Sequence, residues 1–255
     1  MFKPHDMIQL SRRSVLTAVA LSLSYGQVRG AVPAKLTSRE IVRLLFEARR
    51  EQRIDLSYGD LSGLDLSDIN FKGAVLHHCN LFGVDFTDAN LAGSDLSDTI
   101  LDRAVLLRTN LSNASLRSAS IRRPAVFTDM RFYAGDLPLF RGSDLRSTQI
   151  TARLDGADFS RSDLSGAVFS LSSERDLGGT PTGGLANCDF TGAKLVNTNL
   201  SGMSLAFSIF RSADLSGANL EDADLTRADL TGATLTNVKL TRAKLDGVLG
   251  LATAP

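Results

Sequence analysis

The sequence predicts an all-β solenoid, and three observations predict it. Leu or Phe recurs every fifth residue in two long blocks. A small, uncharged residue stands two positions before most of them. The remaining positions hold turn-forming pairs and an outward polar residue. Residues 213–235 show the unit most plainly: ADLSG ANLED ADLTR ADLTG ATL.

The large residue comes first. In the C-terminal block it is Leu or Phe without a break from Leu185 to Leu245, and in the N-terminal block Leu, Phe or Ile from Leu56 to Ile121. A helix cannot use this spacing, because five steps of ~100° would carry the leucines round every face. A straight strand fails because five is odd and successive leucines would change sides. The chain therefore has to bend once per unit.

The small residue comes second. Ala193, Ala213, Ala218, Ala223, Ala228, Ala233 and Ala243 hold this position, with Cys188, Thr198, Ser208 and Val238 between them. None of these positions in either block is charged, although 22% of the chain is. Two residues apart, the small residue and the leucine share one strand face, and a narrow tube has room for only one large shell. The residue between them points outward, as Asp214, Asn219, Asp224 and Asp229 do. The last two residues are turn chemistry, Ser-Gly, Thr-Gly, Ser-Asp or Thr-Asp. Short strands and corners repeated in this way wind a solenoid with Leu and Ala inside.

This unit resembles the A-(D/N)-L-x-x pattern of the pentapeptide-repeat family. The resemblance implies a right-handed quadrilateral β-helix with four units, or 20 residues, per coil. About nine coils follow, ~45 Å of rod at the spacing of stacked strands.

Residues 1–34 are expected to be a signal peptide. Ser11, Arg12, Arg13 and Leu16 resemble a twin-arginine export signal, S/T-R-R-x-F-L-K, with Val15 in place of Phe and Thr17 in place of Lys. A short apolar run to Leu23 suits a signal rather than a membrane span. Cleavage could follow Gly26, Ala31 or Ala34. The export signal residues are thus Arg12 and Arg13, and the expected location is periplasmic or otherwise exported. Residues 35–53 are assigned to an N-terminal capping α-helix: Thr37 and Glu40 make a capping box, and Ile41, Leu44, Leu45 and Ala48 form one apolar face. Such a helix covers the open edge of the first coil.

Residues 54–250 are assigned to the solenoid. Asn70, Asn90 and Asn110 stack on one outer face, where asparagines can bond along the axis. The register is expected to slip over 122–153. Phe127, Phe132 and Leu137 set one shifted register, with Ala125, Met130 and Gly135 inward and a bulge at Arg122-Arg123-Pro124. Phe140, Leu145 and Ile150 set the next; Leu154, Phe159, Leu164 and Phe169 the last. Residues 171–184 are polar, Gly-rich and carry Pro181, which predicts a loop with Glu174, Arg175 and Asp176 as its charged group. Cys79 and Cys188 fall at small inward positions several coils apart, too far for a disulfide, so two buried free thiols are expected.

The chemistry is sparse. The three histidines are His5 and the corner pair His77 and His78. With no Cys or acidic partner at metal-ligand spacing along the chain, no metal site is expected. No catalytic residues and no cofactor-binding signature stand out, and Asp55, Asp60 and Asp65 read as a solvated face. Formal charge is +0. Without the first 34 residues it is 24 basic against 27 acidic, which favours neither nucleic-acid binding nor a strongly acidic surface. The expected function is a non-enzymatic exported rod, a structural scaffold or interaction surface for an unknown protein partner, with an end-to-end homodimer possible and no membrane span after signal removal. Two alternatives stand beside it: a DNA-mimicking, topoisomerase-interacting protein, which the resemblance suggests, and a ligand binder using the 171–184 loop.

Overall fold

The computed structural model describes residues 36–49, 52–126, 134–170 and 184–251. Arg12, Arg13, His5, Phe127, Met130, Phe132 and the 171–183 stretch lie outside them.

The described chain winds a parallel β-helix. Outward residues pair with the residue 20 positions on, as in Asp55↔Val75, Asn70↔Asn90 and Asn199↔Asn219. One face can be followed from end to end: Asp55, Val75, Asp95, Ser115, Asp144, Asp163, Lys194, Asp214, Thr234. Backbone bonds tie each coil to the next, for example Leu56 N–H to Val75 O and Val75 N–H to Ile54 O, both 2.8 Å. Three strands are long enough to name: β1 (Ser120–Arg122), β2 (Gln149–Thr151) and β3 (Val168–Phe169), parallel and in that order. Every fifth residue from Leu56 to Ile121 and from Leu185 to Leu230 is a Leu, Phe or Ile that is 2% exposed or less. Phe140, Phe159, Phe190 and Phe210 stack nearly parallel up one wall, with centroids 4.9, 5.1 and 4.8 Å apart. That spacing is the rise of the coil itself.

The corners turn because the small inward N–H bonds back to the preceding large residue's carbonyl, as Ala218 does to Leu215 (2.9 Å). The second corner residue then takes a positive φ, which Gly63 adopts freely at 67° and which Asp68 and Asn197 accept at 58° and 56°. Where the small position is polar and buried, its hydroxyl finds a carbonyl: Thr109 donates to Phe86 O, Thr198 to Leu164 O and Ser208 to Leu185 O. Cys79 and Cys188 are buried free thiols donating to Leu56 O and Leu154 O. Burial pushes Cys79 up to about 12 and Cys188 higher still.

A helix, α1 (Ser38–Glu47), lies over the first coil. It is shorter than the 35–53 segment assigned to it, because Ile54 already serves as a strand carbonyl for Val75. Thr37 and Glu40 bond reciprocally at its N-terminus, and Ile41 and Leu45 are buried in the core. Its last turn contains no basic residue. Instead Lys72, from the last corner of the first coil, donates to Leu45 O at 2.6 Å.

The first register slip falls later than the sequence suggests. Val126, not Phe127, continues the N-terminal register and is 1% exposed. Ala125 faces outward and pairs with Val105. Arg122 and Arg123 make a corner, with Arg123 at a φ of 53°, and Pro124 takes the small position without the usual N–H bond, while the ladder keeps its 20-residue offset at Ala125, so there is no bulge there. The extra residues follow Val126: Asn110 pairs with Leu139, 29 positions on. Gly135 is exposed, in a 3-10 turn (Ala134–Asp136), whereas Leu137 is buried. From there Phe140, Leu145 and Ile150, then Leu154, Phe159, Leu164 and Phe169, all point inward. A single-residue deletion separates the two sets, since β2 pairs with β3 at an offset of 19. After residue 170 the pairing offset becomes 31, as in Asp158↔Asp189. Gly184 is already wall, paired to Arg153 and Ser204; a side chain there would collide with Asp155.

Candidate functional site

The outward Asp and Asn residues are first of all architectural. In coil after coil their Oδ1 accepts the backbone N–H two residues ahead: Asp55 from Ser57, Asn90 from Ala92, Asp163 from Ser165, Asn219 from Glu221, Asp229 from Thr231. These Asx turns pin the corner that follows each strand. Asp55, Asp60 and Asp65, read from sequence as a solvated face, all do this. The asparagine stack is present in position, and Asn110 Nδ2 donates to Asn90 Oδ1 at 3.3 Å. Asn70 Oδ1 instead serves its own turn, accepting from Lys72 N–H.

The electrostatics follow from these bonds. Asp65, Asp214 and Asp224 are held below the ordinary carboxylate range chiefly by Ser67, Ser216 and Thr226. Asp229, bonded by Thr231 and then Arg211, is lowered to about 2. Ion pairs also run along the axis: Arg108 holds Asp88 and Asp136, Arg242 holds Asp222 and Lys244 holds Asp224.

One corner gathers residues of another kind. His77 and His78 occupy it, as the sequence predicts, with rings 3.9 Å apart. Tyr58, one coil before, lies against both, at 5.6 Å edge-on to His77 and 5.0 Å to His78. Ser97 and Asp98 follow one coil after. Ser97 Oγ is 3.1 Å from His77 Nδ1, and Asp98 Oδ2 is 3.8 Å from the same atom. The sequence shows no acidic partner at metal-ligand spacing, but the coil brings one near His77. Asp98 is remote along the chain but one coil away in space. Adding 20 to 78 would have found it. One donor atom each from His77, His78 and Asp98 lie within 4.8 Å of one another.

Exposed apolar side chains dot other parts of the wall. Phe82 and Phe207 each lie under a guanidinium from the next coil, Arg103 at 6.0 Å and Arg227 at 5.7 Å. Ile100, Leu139 and Ile209 stand on strand faces. At the C-terminal end Leu235, Leu240 and Leu245 are only partly buried, whereas Leu225 and Leu230 are covered. Among the described residues no helix is long and apolar enough to cross a membrane.

Comparison with known proteins adds the following. HetL from the cyanobacterium Nostoc sp. strain PCC 7120, a pentapeptide repeat protein involved in heterocyst differentiation regulation, is 23% identical, with 86% of this chain and 100% of that one covered at a TM-score of 0.33. A pentapeptide repeat protein from the thylakoid lumen of Arabidopsis thaliana is 26% identical over 46% of this chain and 69% of that one, TM-score 0.25. QnrB1, a plasmid-mediated fluoroquinolone resistance protein, is 17% identical over 77% and 89%, TM-score 0.28. No curated protein matches. The family profile described as pentapeptide repeats matches eight copies, over residues 52–88, 89–123, 152–173, 185–222 and 208–247. These segments make up more than half of the chain, which therefore belongs to the pentapeptide-repeat family.

Proposed function

We propose that the protein is a non-enzymatic rod, right-handed and four-sided, that serves as a structural scaffold or interaction surface for another protein. The observation that carries this reading is the use made of the carboxylates. A general acid at neutral pH needs a raised carboxyl pKa. Among the described residues each Asp or Glu with a resolved shift is lowered, from Glu40 to Asp229. The bonds that lower them are those that make the turns and rungs. What the wall offers a partner is rigid relief: Tyr58, Phe207 and Ile209 project from corners and faces fixed by the ladder.

Photo-crosslinking side chains placed at Tyr58, Phe207 and Ile209 of the full chain test this in the source cell. A discrete protein adduct is expected. Substrate turnover by the purified chain, with no adduct from any position, would contradict the reading, and inhibition of gyrase supercoiling would favour DNA mimicry instead. Export through Arg12 and Arg13 belongs to the same proposal. Arg12→Lys with Arg13→Lys should strand the precursor in the cytoplasm; normal export of that variant would refute it. Pairing of two rods through the open coil at residues 233–251 is a further part. Light scattering should find a dimer that Leu240→Asp dissociates, and a monomer at every concentration would remove this part alone.

A further inference from the structure

We propose that the corner formed by His77, His78 and Asp98 is a binding site for a divalent transition-metal ion of the zinc class. Two imidazoles and one carboxylate are a donor set that zinc accepts, with a fourth position left for water. Their donor atoms lie within 4.8 Å of one another. In a tetrahedral zinc site with bonds near 2 Å the ligand atoms are about 3.3 Å apart. Side-chain rotation has to close that gap when the ion binds.

Three features of this corner go beyond a chance cluster. First, the two coils present the donors in a fixed relation: His78 and Asp98 are stacked corner residues, both with positive φ, 57° and 56°. Second, Ser97 contacts the His77 ring from the next coil. Ser97 spends its hydroxyl proton on Asp95 Oδ1 at 2.6 Å, so toward His77 its oxygen accepts. With the ring's Nδ1 donating to that oxygen, 3.1 Å away, Nε2 is the nitrogen left for a metal. A ligating histidine usually gives its other ring N–H to a carboxylate, carbonyl or water, and here a hydroxyl takes that place. Third, the neighbouring thiol is kept out of the site. Cys79 follows His78 in sequence but points into the core and bonds Leu56 O. Tyr58 lies against both rings.

The test is calorimetric titration of the full chain with zinc chloride at neutral pH, alongside His77→Ala plus His78→Asn, Asp98→Asn and Ser97→Ala. Asparagine is chosen at positions 78 and 98 because it tolerates a positive φ, and urea unfolding confirms that each variant is folded. One equivalent of zinc is expected, with that binding lost in the double histidine variant and weakened at least tenfold in Asp98→Asn. Ser97→Ala should weaken it by about tenfold as well. No zinc uptake by the wild-type chain would overturn the proposal. So would uptake that the histidine and aspartate variants leave unchanged.

Discussion

Leu225 and Asp224 are chain neighbours with opposite surroundings. Leu225 is fully buried. Asp224 faces outward, with Oδ1 accepting Thr226 N–H and Oδ2 beside Lys244. Leu225→Asp should lose about 1.5–3 kcal/mol of burial and add the cost of an unpaired charge, a severe loss of stability. Asp224→Leu should cost only about 1 kcal/mol, the value of its turn bond. Urea midpoints of the two variants measure the difference, and equal costs would invert the inside and outside of the wall. Ser94 supplies the reverse case. Its Oγ is buried and, among the described side chains, alone in lacking a partner. Ser94→Ala should therefore stabilise the protein by about 1 kcal/mol, seen as a higher urea midpoint with an unchanged slope. At this scale the sequence was informative about what lies inside, because a charge in a narrow core is prohibitive. It was silent on why Asp recurs outside. Periodicity shows that a position is polar, and only coordinates show that Oδ1 is bonded to the chain two residues on.

The elements were legible where they repeat and obscure where they stop. The capping box stood in Thr37 and Glu40, but the partner for the helix's C-terminal end is Lys72, 27 residues past Leu45, and no local rule points to it. Thr37→Ala should cost about 1 kcal/mol. Lys72→Met should cost about as much, by freeing the Leu45 carbonyl. Hydrogen exchange should place both effects in α1 and the first coils, with the coils near Leu215 unchanged. Global loss of protection would mean that the helix is not a separable cap. The slip after Ile121 was misplaced for a physical reason. Phe127 and Phe132 are larger than Val126 and repeat at the right interval, so composition favours them. The ladder decides otherwise, because Ala125 already pairs with Val105.

For the whole molecule, the repeated Asx turns make stability depend on acid. Asp229 is lowered from its ordinary 3.8 to about 2. A depressed carboxyl stabilises the fold above its unfolded pKa and loses that contribution as pH falls through its folded pKa. Asp65, Asp88, Asp144, Asp158, Asp214, Asp222 and Asp224 shift in the same direction. The urea midpoint should thus hold steady down to about pH 4 and fall steeply toward pH 2. Asp229→Asn should lessen that fall, since the amide oxygen can keep the Thr231 bond without titrating. A midpoint that rises on acidification would reverse the sign assigned to these carboxylates. The corner of His77 and Asp98 also belongs to this scale: its residues are meaningful only once the coil length is known.

That coil length is the claim on which the wall, the ladder and the metal corner all rest. Nitroxide pairs attached through introduced cysteines test it most directly, because Cys79 and Cys188 are buried. Labels at Asn199→Cys and Asn219→Cys sit on paired residues at the strand spacing of ~4.8 Å, and their spectra should broaden strongly. Labels at Asn199→Cys and Ile209→Cys, half a coil apart on opposite faces, should not. Equal broadening in the two pairs, or stronger broadening in the second, would contradict a turn of 20 residues.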